Sequence, residues 1–216
     1  SKPFHALVAG GGTGDATIML AQQLVDAGAV DARVTYLDLS TATRAIAEAR
    51  ADARGLSNIR FVTGTIEEVG QLCPGPYNYI DCCGVLHHLA DPEAGLRSLV
   101  ARLTDDGGMG LMVYGALGRR GVYDVQEAMK LLGRDLGDGA RLDLVGRLLE
   151  GLPQSHWLRR NPFIADHFQG GAAGMFDLLL HSRDRAYTIP SLLALLGAGG
   201  ARAVELIAPG QYDPRH

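Results

Sequence analysis

The stretch Leu7-Val8-Ala9-Gly10-Gly11-Gly12-Thr13-Gly14-Asp15 decides the fold of this chain. His5 to Ala9 is an apolar run that reads as a short buried strand. Gly10 to Gly14 reads as a turn, and Ala16 to Ala27 as a helix with Ile18, Leu20, Leu24 and Val25 apolar. Glycines between a strand and a helix permit a tight turn and let a ligand approach the backbone closely. The helix start then offers free N–H groups and a partial positive charge to an anionic ligand group.

The rest of the chain repeats this strand-then-helix rhythm. Val34 to Leu37 is β-rich and ends at Asp38; Ser40 suits an N-cap for a helix through Ala53, stopping near Gly55. Ile59 to Val62 reads as a third strand and Tyr79 to Cys83 as a fourth. Pro92 to Leu103 reads as a helix with Leu96, Leu99, Val100 and Leu103 on one face. Met109 to Tyr114 reads as a fifth strand after the Asp106-Gly107-Gly108 turn. Alternation with buried-type strands predicts a parallel sheet covered on both faces. After Tyr114 two helical patterns follow, 122–133 and 140–150, then an irregular stretch around Pro153, Pro162 and Gly170-Gly171. A short helix is expected over Met175 to His181, a helix opened by Pro190 through Leu196, and a sixth strand over Ala203 to Ile207. About 70 residues is too long for a bare loop, so the insert is expected to be a helical subdomain over the strand ends. The boundaries read as a core over 1–115, a helical insert or substrate lid over 116–187, and a closing helix and strand over 188–216.

Asp38 can accept hydrogen bonds from both hydroxyls of a ribose, so loop and acid together fit an adenosine-bearing cofactor. Nicotinamide dinucleotides and S-adenosylmethionine (SAM) share this geometry. The dinucleotide fingerprint G-x-G-x-x-G lacks its last glycine here, where Asp15 stands; the spacing is G-x-G-x-G. Residues Leu7 to Asp15 resemble the first motif of class I SAM-dependent methyltransferases. Tyr36-Leu37-Asp38-Leu39-Ser40 is similar to the acidic second motif, Phe61 to Ile66 to the third, and Tyr77 to Leu89 to the fourth. Leu103 to Gly108 matches the turn before strand five, and 186–207 resemble the closing helix and sixth strand. The resemblance implies a Rossmann-like, mostly parallel sheet sandwiched by helices. It also implies SAM as cofactor, S-adenosylhomocysteine as product, and binding by Gly10, Gly11, Gly12, Gly14, Asp38, Leu39, Thr65, Ile66 and Cys83. Three positions depart from it. Gly11 stands where Cys is frequent, Asn78 where Asp is usual, and Thr65 where an Asp commonly holds the adenine amino group; a threonine can still accept one hydrogen bond.

The reaction implied is in-line methyl transfer from a sulfonium, for which alignment is the main requirement. A general base is needed only for a hydroxyl or a protonated amine. His88, after strand four, is the first candidate, with His87 beside it; both stand at the carboxyl end of the sheet, where ligands of open α/β folds bind. His181 is the second, spaced i, i+4 from Asp177, whose carboxylate could orient it. Tyr114, Tyr123, Asp177 and Arg185 are substrate candidates. Arg119-Arg120 reads either as a site for an acidic substrate or as a solvated pair. Cys82 and Cys83 read as packing residues, Cys83 with its backbone toward the methionine end of SAM. Trp157 reads equally as a pocket lid or as an anchor of the insert.

Composition bounds the rest. The 216 residues carry 20 Lys+Arg against 24 Asp+Glu, a net charge of -4, so no nucleic-acid partner is expected. No apolar run approaches the roughly 18 residues of a membrane span. Three cysteines without CxxC spacing suit a reducing, cytoplasmic setting and give no support for a metal site. The start without Met points to a piece of a longer polypeptide. The expected substrate is a small molecule with an O or N nucleophile, reinforced by the absence of an [Asp/Asn]-Pro-Pro-[Tyr/Phe] element where Cys83-Gly84-Val85-Leu86 stands. Alternatives are a protein methyltransferase or methyltransferase module of a larger polypeptide, and a non-catalytic SAM-binding domain. A homodimer partner, or segments of a parent chain, would then cover the cofactor.

Overall fold

A computed structural model describes residues 3–216 apart from Phe163, Ser182, Pro209, Gln211 and 213–216. Its first unit comprises 1–113 with 189–216 and its second 114–188.

The first unit is built on five parallel strands: β1 (His5–Ala9), β2 (Arg33–Asp38), β3 (Ile59–Thr63), β4 (Tyr77–Cys83) and β5 (Leu103–Met112). Their order is β3-β2-β1-β4-β5. This is the Rossmann-like α/β arrangement that the sequence predicts. The order reverses between β1 and β4, which opens a crevice at the carboxyl ends of the strands. Ala9 pairs with Leu37 and Asp38 with Thr63, so the glycine loop, Asp38 and the segment after β3 leave the sheet on one edge.

Alternation along the strands sorts the two faces. Val8 of β1 and Val34 of β2 are buried with Ala21 of helix α1 (Asp15–Asp26), against Leu20, Leu24 and Ile59. Leu7, Leu37 and Ile80 point the other way and are equally buried, so both faces are covered. Helix α2 (Thr41–Asp52) packs beside α1. Its start is fixed by Ser40, whose hydroxyl accepts from the Thr43 N–H at 3.3 Å. A short α3 (Val69–Leu72) was not legible in the sequence. In α4 (Pro92–Val100) Asp91 caps the Ala94 N–H at 2.9 Å and Pro92 occupies the first turn.

Two sequence expectations need correction in this unit. Strand five begins at Leu103 and ends at Met112, not at Tyr114. Tyr77 pairs with Leu103 but Tyr79 with Gly108, so the expected Asp106-Gly107-Gly108 turn is a bulge inside the strand. The sixth strand over Ala203 to Ile207 does not form among the described residues. Val204 and Ile207 lie 87% and 88% exposed, with no ladder to either. An apolar run alone does not make a strand; a paired neighbour does. The preceding helix is present as α10 (Ile189–Ala198) and packs against α4, where Leu96 lies under Gly199.

The second unit contains α5 (Val122–Leu132), α6 (Asp138–Gly151), α7 (Trp157–Arg160), α8 (Asp166–Gln169) and α9 (Gly171–Leu179). Helices α7 and α8 occupy the stretch expected to be irregular, and α9 ends before His181. Val122, Val125, Met129, Val145, Leu158, Leu178 and Leu179 form its core. Its ends are tied together: the Tyr187 N–H donates to Tyr114 O at 2.7 Å, and the Ala116 N–H to Tyr187 O at 2.8 Å. Arg119, expected either at an acidic substrate or as one of a solvated pair, is buried instead. Its guanidinium pairs with Asp184, itself almost fully buried, and lies 3.7 Å over the Tyr114 ring.

Candidate cofactor crevice

The glycine loop is braced from below by β2. Gly10 and Gly11 both donate to Leu37 O, at 2.7 and 3.1 Å. Tyr36 is fully buried; its hydroxyl donates to Gly12 O at 2.7 Å and its ring fills the space beneath Gly11. A Cβ built on Gly11 would overlap Tyr36 Cδ2 and Cε2. That explains why glycine, rather than the family's frequent Cys, stands at this position. Gly12 differs: its φ is +51° and a Cβ there would meet nothing within 4 Å, so open space lies above this peptide. Gly14, at φ +94°, caps α1 without any side chain, leaving the helix start to other acceptors.

Asp38 stands at the crevice edge, half-buried. Oδ2 accepts from the Gly12 N–H at 2.8 Å. Oδ1 accepts from the Ser40 N–H at 2.8 Å and from Thr43 Oγ1 at 3.3 Å. A carboxylate offers about four acceptor positions, so three are in use. Both hydroxyls of a ribose therefore fit only if one of these donors, such as the Gly12 N–H, gives way. The sequence reading assigned Asp38 to the sugar alone; the structure adds that it holds the loop.

Thr65 and Ile66 follow β3 on the same edge, and Leu39, after Asp38, is 74% exposed. Thr65 is tied to Glu68: the Thr65 N–H and hydroxyl both donate to Glu68 Oε2, at 2.9 and 3.0 Å. Those two hydrogen bonds hold the Glu68 carboxyl below its ordinary range. The Thr65 hydroxyl proton is thus committed, while its lone pairs remain able to accept.

Within β4, Asp81 Oδ2 accepts from Tyr79 Oη at 3.2 Å and from Cys83 Sγ at 3.7 Å. Desolvation, then the Asp81 charge, pushes Tyr79 up to about 12 and Cys83 up to about 11. Cys82 is fully buried and its thiol is raised further by burial. Neither cysteine is a thiolate near neutral pH. His88 lies half-buried in a 3-10 turn, Leu86–His88, with its ring 4.1 Å from that of the buried His87.

In the second unit, Tyr123 Oη donates to Asp184 Oδ1 at 3.2 Å, and Gln126 Nε2 to Asp184 Oδ2 at 3.1 Å. Tyr123, raised to about 12 by burial and then by Asp184, is part of the buried network rather than a free substrate contact. Tyr114 is the ring beneath Arg119. Arg185 is exposed. Asp177 carries a carboxylate oxygen within 4.8 Å of an imidazole nitrogen of His181. His181 also accepts from the Arg183 N–H at 3.1 Å.

The sequence reading missed Tyr36, Arg50 and Glu68. Arg50 reaches from α2 to donate to Thr13 O at 2.7 Å and to pair with Asp15 at 2.6 Å. Glu68 carried a signal, the Thr-x-x-Glu spacing; Tyr36 and Arg50 carried none beyond their types.

Residues 7–109 match a family profile described as a methyltransferase domain. An uncharacterized protein of Synechococcus sp. is 38% identical over 157 residues, 71% of this chain and 36% of that protein. The ubiquinone biosynthesis O-methyltransferase of Pectobacterium carotovorum is 23% identical over 183 residues, 76% of this chain and 71% of that protein. Among solved structures, PKMT2 from Rickettsia typhi superposes with a TM-score of 0.69 at 14% identity, covering 91% of this chain and 38% of that one. The same protein has been solved in complex with AdoHcy. The chain thus spans little more than a third of the Synechococcus and Rickettsia proteins. Glycine loop, acidic second strand, strand order and matching profile agree: residues 7–109 match a methyltransferase domain, on the Rossmann-like fold of the SAM-dependent methyltransferases, for which SAM is the methyl donor.

Proposed function

We propose that this protein transfers a methyl group from SAM to an O or N nucleophile of a small-molecule acceptor. The observation that carries the reading is the open space above Gly12 beside Asp38, at the point where the strand order reverses. The name of the Pectobacterium relative supports an oxygen acceptor.

SAM supplies a methyl already activated on a sulfonium, so the protein's task is alignment. By this reading Gly10, Gly11, Gly12 and Gly14 give backbone room for the amino-acid end, and Cys83 offers its backbone nearby. Asp38 exchanges its Gly12 donor for a ribose hydroxyl. Leu39 and Ile66 flank the adenine, and a lone pair of Thr65 accepts from its amino group. His88 takes the acceptor's proton where a hydroxyl is methylated, with His181 as the second candidate. Residues 116–187 serve to hold the acceptor, with Tyr114, Asp177 and Arg185 as candidate contacts.

A second reading has its own support: the short coverage of two relatives favours a methyltransferase module of a larger polypeptide, including one that acts on protein. Incubation with methyl-labelled SAM and fractionated cell extract separates the two. Label in a small-molecule product that chromatography separates from SAM is the expected result; transferred label confined to precipitated protein would establish the second reading. Calorimetry that detected NAD binding and no SAM binding would remove both.

A further inference from the structure

The second unit carries a cleft of about 320 Å³, near the lower end of the range of small-ligand pockets. Its floor is apolar: Met129, Leu179 and Leu180 line it while remaining almost fully buried. Lys130, Arg134 and Arg141 stand at its wall, Gln126 and His181 complete the polar lining, and no carboxylate is among the lining residues. Lys130 and Arg134 have no acidic partner within 4 Å among the described residues, although both are exposed. Arg141 meets the exposed Asp138 at 3.4 Å, and its Nε is buried without an acceptor.

Helix ends explain part of this charge. The carboxyl ends of α5 and α9 stand at the cleft, and each contributes roughly half a negative charge. Together they balance about one of the three cations. Counting Asp138 against a second leaves about one positive charge over an apolar floor, with a buried guanidinium N–H still seeking an acceptor. A buried donor without a partner is costly unless something supplies one.

We propose that this cleft binds an organic anion: a carboxylate or phosphate head group on an apolar body, the head held by Lys130, Arg134 and Arg141 and the body lying on Met129, Leu179 and Leu180. The cleft lies within the second unit, and His181, the second candidate base, is among its lining residues.

Calorimetric titration of the full chain with octyl phosphate, octanoate and octanol, each below its micelle concentration, tests this. Saturable one-site binding of at least one anion is expected, weakening as salt rises, with octanol weaker by about tenfold or more. The tighter of the two anions then identifies the head group. The double variant K130Q/R134Q changes two exposed side chains, so it leaves the fold intact, and far-ultraviolet circular dichroism checks that it does. It should weaken the anion by about tenfold. Octanol binding as tightly as either anion, affinity unchanged in K130Q/R134Q, inorganic phosphate binding as tightly as octyl phosphate, or no saturable binding at millimolar concentrations would each overturn the proposal. SAM binding, measured in the same variant, should be unchanged, which separates failure here from failure of the methyltransferase reading.

Discussion

Replacing Gly11 with alanine probes the join between sequence and site. The new methyl group would enter the ring of Tyr36 at Cδ2 and Cε2. That ring cannot swing away cheaply: it is fully buried, 5.2 Å from the Phe61 ring, and its hydroxyl is fixed to Gly12 O at 2.7 Å. Overpacking of a filled core costs about 1–3 kcal/mol. Losing the hydroxyl's hydrogen bond adds about 0.5–1.5 kcal/mol. Gly11→Ala should therefore destabilise the protein by about 1.5–4.5 kcal/mol, read as a lower urea midpoint with an unchanged slope. Tyr36→Val is destabilising alone through its cavity, but it removes the obstacle. In Gly11→Ala/Tyr36→Val the two costs should fall short of their sum by about 1–3 kcal/mol. A single Gly11→Ala within 0.5 kcal/mol of the parent would refute the argument, as would additive behaviour in the double variant; either means that the loop rests on something other than the Tyr36 ring.

Three further outcomes are expected. Asp38→Ala should weaken SAM binding by about 1–3 kcal/mol in calorimetry, and unchanged affinity in a folded variant would mean that Asp38 serves the loop alone. Asp184→Ala removes the acceptor shared by Arg119, Tyr123 and Gln126 and leaves a buried guanidinium unpaired. The cost should be about 3–5 kcal/mol, measured by denaturant unfolding, and a value below 1 would contradict the burial of this pair. Cys83, with its thiol near 11 rather than 9, should carry about a hundredfold less thiolate at pH 8 than an unperturbed cysteine and alkylate correspondingly slowly. The sign is that of an acid whose ionised form is disfavoured: reactivity rises as pH approaches 11. Asp81→Asn should speed alkylation at pH 8, and no change on that substitution would show that the carboxylate does not act on the thiol.

The two units show how the polar networks differ in purpose. In the first, hydrogen bonds converge on the backbone of a loop: Tyr36, Asp38 and Arg50 each hold one of its peptide groups. Such bracing preorganises a binding surface. In the second, they converge on one buried carboxylate, Asp184, and fix α5 to the segment after α9. The first network should respond to ligand; the second should respond to denaturant.

Local chemistry let the sequence alone determine the α/β core. Apolar runs of buried-strand type, glycines at a strand-to-helix junction, Asp38 at a strand end and a cap at Ser40 each act within a few residues. Those signals fixed the succession of the five strands and the Rossmann-like fold, because each depends on backbone geometry that neighbouring residues impose. Only the tertiary structure decided the rest. Ala203 to Ile207 is a mostly apolar run of strand type yet lacks a partner among the described residues, Arg119 looks solvated yet meets Asp184 from 65 residues away, and Gly11 is required by a ring on the next strand. Pairing, burial of charge and steric exclusion are relations between segments distant in the chain, and only folding brings the two sides of each relation together.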